Sequence, residues 1–190
     1  VGARSIELVA FSLPPKPVRL IGAGSWRKTT LPPLSWWASS QGWPSLGYRV
    51  YIDSALAGTS TTTSFTPPSA LAEGTHKWRV ESFDRSGQVV SSSLGDLKVD
   101  TTVPKLSVKL RALGRKVTVS GAASDAKPPL GAGLTTIAVN FGDGSRSVVT
   151  RRAGFKLRHR FVRSGRLTVT VTATDAAGNK ALFAGKVRAR

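Results

Sequence analysis

Phe141-Gly142-Asp143-Gly144-Ser145 is the stretch on which the reading of this chain turns. Upstream, Ile137, Val139 and Phe141 alternate with Thr136, Ala138 and Asn140, the period of a half-buried strand. Gly-Asp-Gly then reverses the chain, because two glycines accept backbone angles that a Cβ resists. Downstream, Phe155, Leu157, His159 and Phe161 interleave with Lys156, Arg158 and Arg160. Past Gly165, Leu167, Val169, Val171 and Ala173 alternate with threonines and halt at Asp175-Ala176-Ala177-Gly178-Asn179. Strand, tight turn, strand, strand and hairpin make the spine of an antiparallel sandwich.

Taken in order, Val139 to Ser145, His159-Arg160-Phe161, Gly165 to Val171 and Asp175 to Asn179 resemble a PKD (polycystic-kidney-disease-type) repeat. That family's pattern runs Trp-Asp-Phe-Gly-Asp-Gly-Ser, His-x-Tyr, Gly-x-Tyr-x-Val-x-Leu-x-Val-x-Asp and Gly-Asn. Val139 stands where the family usually has Trp, and Asn140 where it has Asp. The resemblance implies an immunoglobulin-like β-sandwich in an extracellular multidomain protein. It does not imply catalysis.

The chain has 190 residues, room for one large or two ordinary domains. It holds no cysteine, which removes disulfides, thiolate nucleophiles and cysteine metal sites together. No run approaches the roughly 18 apolar residues of a membrane helix. Val1 opens no signal-peptide pattern and the chain has no methionine, so the expectation is a processed or excised piece of a longer protein. The net charge of +18 is unevenly placed. Residues 1–100 hold ten Lys and Arg against seven Asp and Glu, whereas residues 101–190 hold eighteen against three. Such a field draws polyanions by non-specific attraction that salt screens.

Reading along the chain, two short strands each end at a polar or proline break, at Leu13-Pro14-Pro15 and at Val99 to Pro104. The same boundary used twice gives a first domain over residues 14–100 and a second over 101–190. Residues 1–13 are then the last strand of a preceding domain or an extra edge strand. In the first domain, strands are expected at Val18 to Ile21, Leu34-Ser35-Trp36, Tyr48 to Ile52, Thr61 to Phe65, Gly74 to Val80 and within Val89 to Val99. Asp53 to Gly58 and Asp84 to Gly87 are the turns between them. Turns every 8–12 residues without a helical period argue for a sandwich. Leu34-Ser35-Trp36, Gly47-Tyr48-Arg49-Val50 and Leu71 to Gly87 are similar to fibronectin type III-like and related bacterial immunoglobulin-like modules; Trp78 is then core. In the second domain, strands are expected at Leu106 to Leu110, Lys116 to Ser120, 135–141, 146–150, 155–162, 166–174 and 180–189, with Asp125 to Gly133 a loop. Asp100 to Pro104 is expected to be a short, ordered connection, since Thr101, Thr102 and Val103 favour extended backbone and Pro104 disfavours a helix before it. The fold class is all-β, a tandem of immunoglobulin-like antiparallel β-sandwiches.

For catalysis there is no candidate residue. His76 and His159 both fall in strand patterns without a cysteine or carboxylate at ligand or triad spacing, and His159 reads as an inward structural histidine bonded to a backbone carbonyl or a turn. Gly142-Asp143-Gly144 lacks the repeated carboxylates of a calcium loop, so the metal expectation is none. The alternative is calcium held by the scattered oxygens of Asp100, Asp125 and Asp175 near the domain ends. A flat carbohydrate platform would be Trp43, with Trp26 and Tyr51 behind it; the plainer reading makes Trp36 core and lets Trp37 or Trp43 cover the sandwich end. From Arg146 to Arg166 there are eight Lys and Arg and no acid, yet no recognition helix, zinc finger or RNA-binding fold is legible, so no specific nucleic acid is expected.

Alternation places Lys105, Lys109, Arg111, Lys116, Lys156, Arg158 and Arg160 on the outer face of one sheet, opposite Leu106, Val108, Leu110, Val117, Val119, Phe155, Leu157 and Phe161. That face is the expected polyanion-binding surface, for acidic glycans or cell-wall polymers. The expected role is a non-catalytic spacer or adhesion segment, secreted or on a bacterial cell surface, with the other domains of its parent chain as neighbours. The alternative is a polysaccharide- or polyanion-binding accessory module of a secreted hydrolase.

Overall fold

The computed structural model describes residues 16–39 and 46–190. The described residues form sixteen strands and no helix. They fall into two compact units. One contains residues 16–23, 33–39, 46–68 and 77–96; the other contains Gly24–Pro32, Ser69–His76 and Leu97–Arg190.

Nine strands precede residue 100: β1 (Arg19–Ile21), β2 (Trp26–Arg27), β3 (Leu34–Trp37), β4 (Gly47–Ile52), β5 (Ala55–Ser60), β6 (Ser64–Phe65), β7 (Gly74–Phe83), β8 (Val89–Ser91) and β9 (Gly95–Val99). They make a three-stranded sheet, β1-β3-β6, and a six-stranded one, β2-β9-β7-β4-β5 with β8 also on β7. The alternating patterns of β3, β4 and β7 bury Leu34, Trp36, Tyr48, Val50, Ile52, Trp78 and Val80. Trp36 meets Tyr48 edge-on, with ring centroids 5.2 Å apart.

Several details depart from the sequence reading, among them the strand expected over Thr61 to Phe65, of which only Ser64–Phe65 (β6) is strand. The turn expected over Asp53 to Gly58 is only Asp53-Ser54, both at positive φ (49° and 69°), and Ala55 to Gly58 belongs to β5. A two-residue loop with both φ angles positive matches the right-handed twist of its flanking strands, which lets pairing resume at once. β2 was not expected; it is two residues long and pairs parallel with β9, Trp26 opposite Lys98.

The strands from residue 105 onward are β10 (Lys105–Leu113), β11 (Lys116–Ser124), β12 (Leu134–Asn140), β13 (Val148–Thr150), β14 (Gly154–Arg160), β15 (Gly165–Asp175) and β16 (Lys180–Ala189). They form the sheets β10-β11-β14 and β13-β12-β15-β16. Between them lies one core, including Val117, Val119, Ile137, Val139, Phe141, Phe155, Phe161, Leu167, Val169 and Val171, with Leu106, Val108, Leu110 and Leu157 half-buried against it. Gly185 leaves space that Leu110 fills, since a Cβ there would collide with the leucine.

Candidate functional site

Pairing register decides what the outer face of β10-β11-β14 looks like. In antiparallel strands, directly opposed residues share a face. Lys109 lies opposite Ser120, and Ser120 opposite Lys156; Arg111 lies opposite Thr118, and Thr118 opposite Arg158; Leu113 lies opposite Lys116, and Lys116 opposite Arg160. Lys105 continues the β10 row beside Ser124. The seven cations expected on one sheet are on one sheet, and all seven are exposed. None of them makes an ion pair with a described carboxylate. At the Leu113 end of the face an open depression of about 660 Å³ is lined by Arg111, Leu113, Lys116, Thr118, Arg158 and Arg160, with Leu113 83% exposed.

The three acids of residues 101–190 are Asp125, Asp143 and Asp175, and none of them is exposed. Asp143, 4% exposed, is the acceptor around which the Gly-Asp-Gly turn is built. Its Oδ1 accepts from the Ser145 hydroxyl (2.6 Å) and backbone N–H (3.1 Å), and its Oδ2 accepts from the Val162 N–H (3.0 Å) and meets His159 Nε2 at 2.7 Å. Burial alone would push this carboxyl up; the bonds from Ser145, His159 and Val162 outweigh it and hold the group well below the usual carboxylate range. The His159 ring stacks on Phe141, centroids 4.0 Å apart, and meets Phe161 edge-on. The histidine is bonded into the turn, as its inward position in the sequence suggested, and its partner is the turn's carboxylate. His76 Nε2 contacts the Ala72 carbonyl at 2.9 Å.

Asp100, Asp125 and Asp175 come together, with one oxygen from each lying within 4.8 Å of the others. Asp100 Oδ2 accepts from the Ala132 N–H (2.5 Å), and Asp175 is held by the backbone and amide of Asn179 (2.8 and 2.9 Å). Asn179 also donates to the Asp100 carbonyl, at 2.8 Å. Asp125 Oδ2 is buried without a hydrogen-bond partner. Desolvation, then the charges of Asp100 and Asp175, push the Asp125 carboxyl up. Three carboxylate oxygens at this separation have the donor chemistry of a hard divalent cation such as calcium. A raised folded-state pKa means that Asp125 loses stability for the native state as pH rises from the unfolded value through the folded one. In chelator at neutral pH, Asp125→Asn is therefore expected to melt above the parent. Calcium is expected to raise the parent's Tm and leave the variant's alone; a parent unmoved by calcium would rule the cluster out as a cation site.

Of the aromatic platform, Trp43 lies outside the described residues. Tyr51 is no free stacking surface. The pairing of β4 with β7 sets it opposite Arg79, whose guanidinium lies 3.9 Å from its ring centroid, and its hydroxyl donates to Glu81 at 2.9 Å. Trp26 is half-buried in β2, with Lys98 Nζ 6.0 Å from its ring centroid. Trp36 is buried in the core, and Trp37, next to it in β3, is 63% exposed.

No curated protein matches the chain. Among solved structures, fibronectin(III)-like modules of Clostridium thermocellum CbhA match with a TM-score of 0.63 at 17% identity, over 91% of this chain and 94% of that one. This likeness shows the fold. The PKD1 domains of Vibrio anguillarum Epp and of the Vibrio cholerae metalloprotease PrtV match at 20% and 18% identity, each with a TM-score of 0.38, over 47% and 46% of this chain and 95% and 98% of theirs. Residues 105–183, which hold the Gly-Asp-Gly turn, His159 and most of both sheets, match the PKD domain family.

Proposed function

We propose that this chain is a non-catalytic adhesion or spacer segment of a larger secreted or cell-surface bacterial protein, and that the outer face of β10-β11-β14 attaches it to acidic polymers. PKD and fibronectin III-like modules are commonly non-catalytic extracellular domains of larger proteins, and the matches to both kinds support that part of the reading. The observation that carries the attachment is the seven-cation face, together with the withdrawal of Asp125, Asp143 and Asp175 from the surface. Like charges on neighbouring strands repel, and a polyanion relieves that repulsion while it binds.

The test is reversal of Lys156, Arg158 and Arg160 to Glu. These side chains are exposed, so the fold is expected to survive with its Tm close to the parent's. Retention on immobilised heparin at low ionic strength is expected to be lost. The control is reversal of Lys186 and Arg188 on β16, exposed cations of the other sheet. If the triple variant is retained like the parent, or if only the β16 variant loses retention, the attachment reading fails.

A further inference from the structure

The basic face is a channel as well as a charged plane. Its central strand, β11, presents Thr118, Ser120, Ala122 and Ser124 outward, all short and neutral. The flanking strands present long cations: Lys105, Lys109 and Arg111 on β10, and Lys156, Arg158 and Arg160 on β14. Strand side chains stand roughly perpendicular to the sheet, so the two rows rise as rails above a low hydroxyl-bearing floor. Two strand spacings separate the rails by about 9.5 Å, and cations two residues apart along a rail, such as Lys109 and Arg111 or Lys156 and Arg158, are spaced by about 6.7 Å. Lys116 closes the floor at one end, beside the depression and the exposed Leu113. Toward the other end Ser107, Ala122 and Gly154 interrupt both rails with short side chains, and Lys105 stands beyond them beside Ser124.

We propose that the polymer held by this face is a linear acidic glycan, carboxylated or sulfated, lying along β11 with acid groups on both of its edges meeting the two rails. The proposal rests on the attachment reading and adds the ligand's class and direction to it. A ribbon with anions on both edges satisfies both rails at once, which a compact anion does not. Thr118 and Ser120 offer hydroxyls that can donate to and accept from sugar hydroxyls beneath the acid groups. A single-stranded nucleic acid would want aromatic platforms for its bases, and the outward residues of β10, β11 and β14 include none. The floor therefore favours a ligand whose neutral parts are polyhydroxylated.

The test fills the floor without touching a charge. Thr118→Phe with Ser120→Phe keeps every cation, and aromatic residues suit exposed strand positions. Binding of a heparin octasaccharide at fixed low salt is expected to weaken by about tenfold in this variant. Inositol hexakisphosphate, a compact polyanion, is expected to bind the parent more weakly than the octasaccharide and to be little affected by the floor variant. That comparison on the parent needs no variant to fold. Three results overturn the proposal: a folded floor variant that binds the octasaccharide like the parent, a parent that prefers the compact anion, or a parent that binds oligo-dT of matched charge at least as tightly. In each of these the attachment reading survives. A parent that binds none of the probes at low salt removes both.

Discussion

Asp143→Ala is expected to cost about 3–5 kcal/mol, the range for removing one partner from a buried, hydrogen-bonded charged group. The alanine would strand the Ser145 N–H and hydroxyl, the Val162 N–H and the His159 ring around an empty site. For a unit of this size the melting temperature should fall on the order of 15 °C or more. The pH dependence carries the signature. Hydrogen bonds hold the Asp143 carboxyl below its unfolded value, so its contribution is complete above the ordinary carboxylate range and is lost as pH falls through the depressed native value. Unfolding free energy against pH should therefore slope more steeply in acid for the parent than for the variant. Thermal melts from pH 7 down to pH 2 check this. Equal Tm values for parent and variant at pH 7 would remove Asp143 from the centre of the turn.

The second large effect is expected one residue earlier. Gly142 has φ of +73°, and a Cβ on it would run into the carbonyl oxygen of Thr168, a backbone atom within β15 that pairs with Lys186 in the same sheet. An L-residue there meets the left-handed backbone cost of about 1–2 kcal/mol and a collision with an atom that has nowhere to go. Gly144 supplies the control: φ is +94° and nothing lies within 4 Å of its Cβ position. Gly144→Ala should show the backbone cost alone, while Gly142→Ala should lose clearly more. Denaturant melts of the two variants separate the terms. Similar losses for both would mean that the approach to Thr168 is looser than described.

Much of the region from residue 105 onward was legible because its long strands β11, β12, β14 and β15 alternate and glycine punctuates the reversals between them. Phe141, Phe155, Phe161 and Val169 announce the core, and the same alternation puts Lys156, Arg158 and Arg160 outside. The role of Asp143 was not legible. Its place between two glycines says turn, and only the return of β14 past that turn brings His159 and Val162 within reach of it. Tyr51 failed as a platform for a related reason, since alternation does not name the residue on the next strand and register placed Arg79 there. Ala55 to Gly58 carries no strand signature of its own, so in the sequence Asp53-Ser54 is indistinguishable from a longer turn. Trp26 and Arg27 are too few to show a period. The Asp100, Asp125 and Asp175 cluster was visible only as three scattered acids near the domain ends, whereas their approach to within 4.8 Å depends on chain reversals far apart in sequence.

Amide chemical-shift mapping during a low-salt titration with a heparin octasaccharide tests the attachment most directly. Perturbed amides are expected along Lys105–Leu113, Lys116–Ser124 and Gly154–Arg160, fading as salt is added. Perturbations centred on β15 and β16 or on the first unit, or no perturbation at any low-salt ligand concentration, would contradict it.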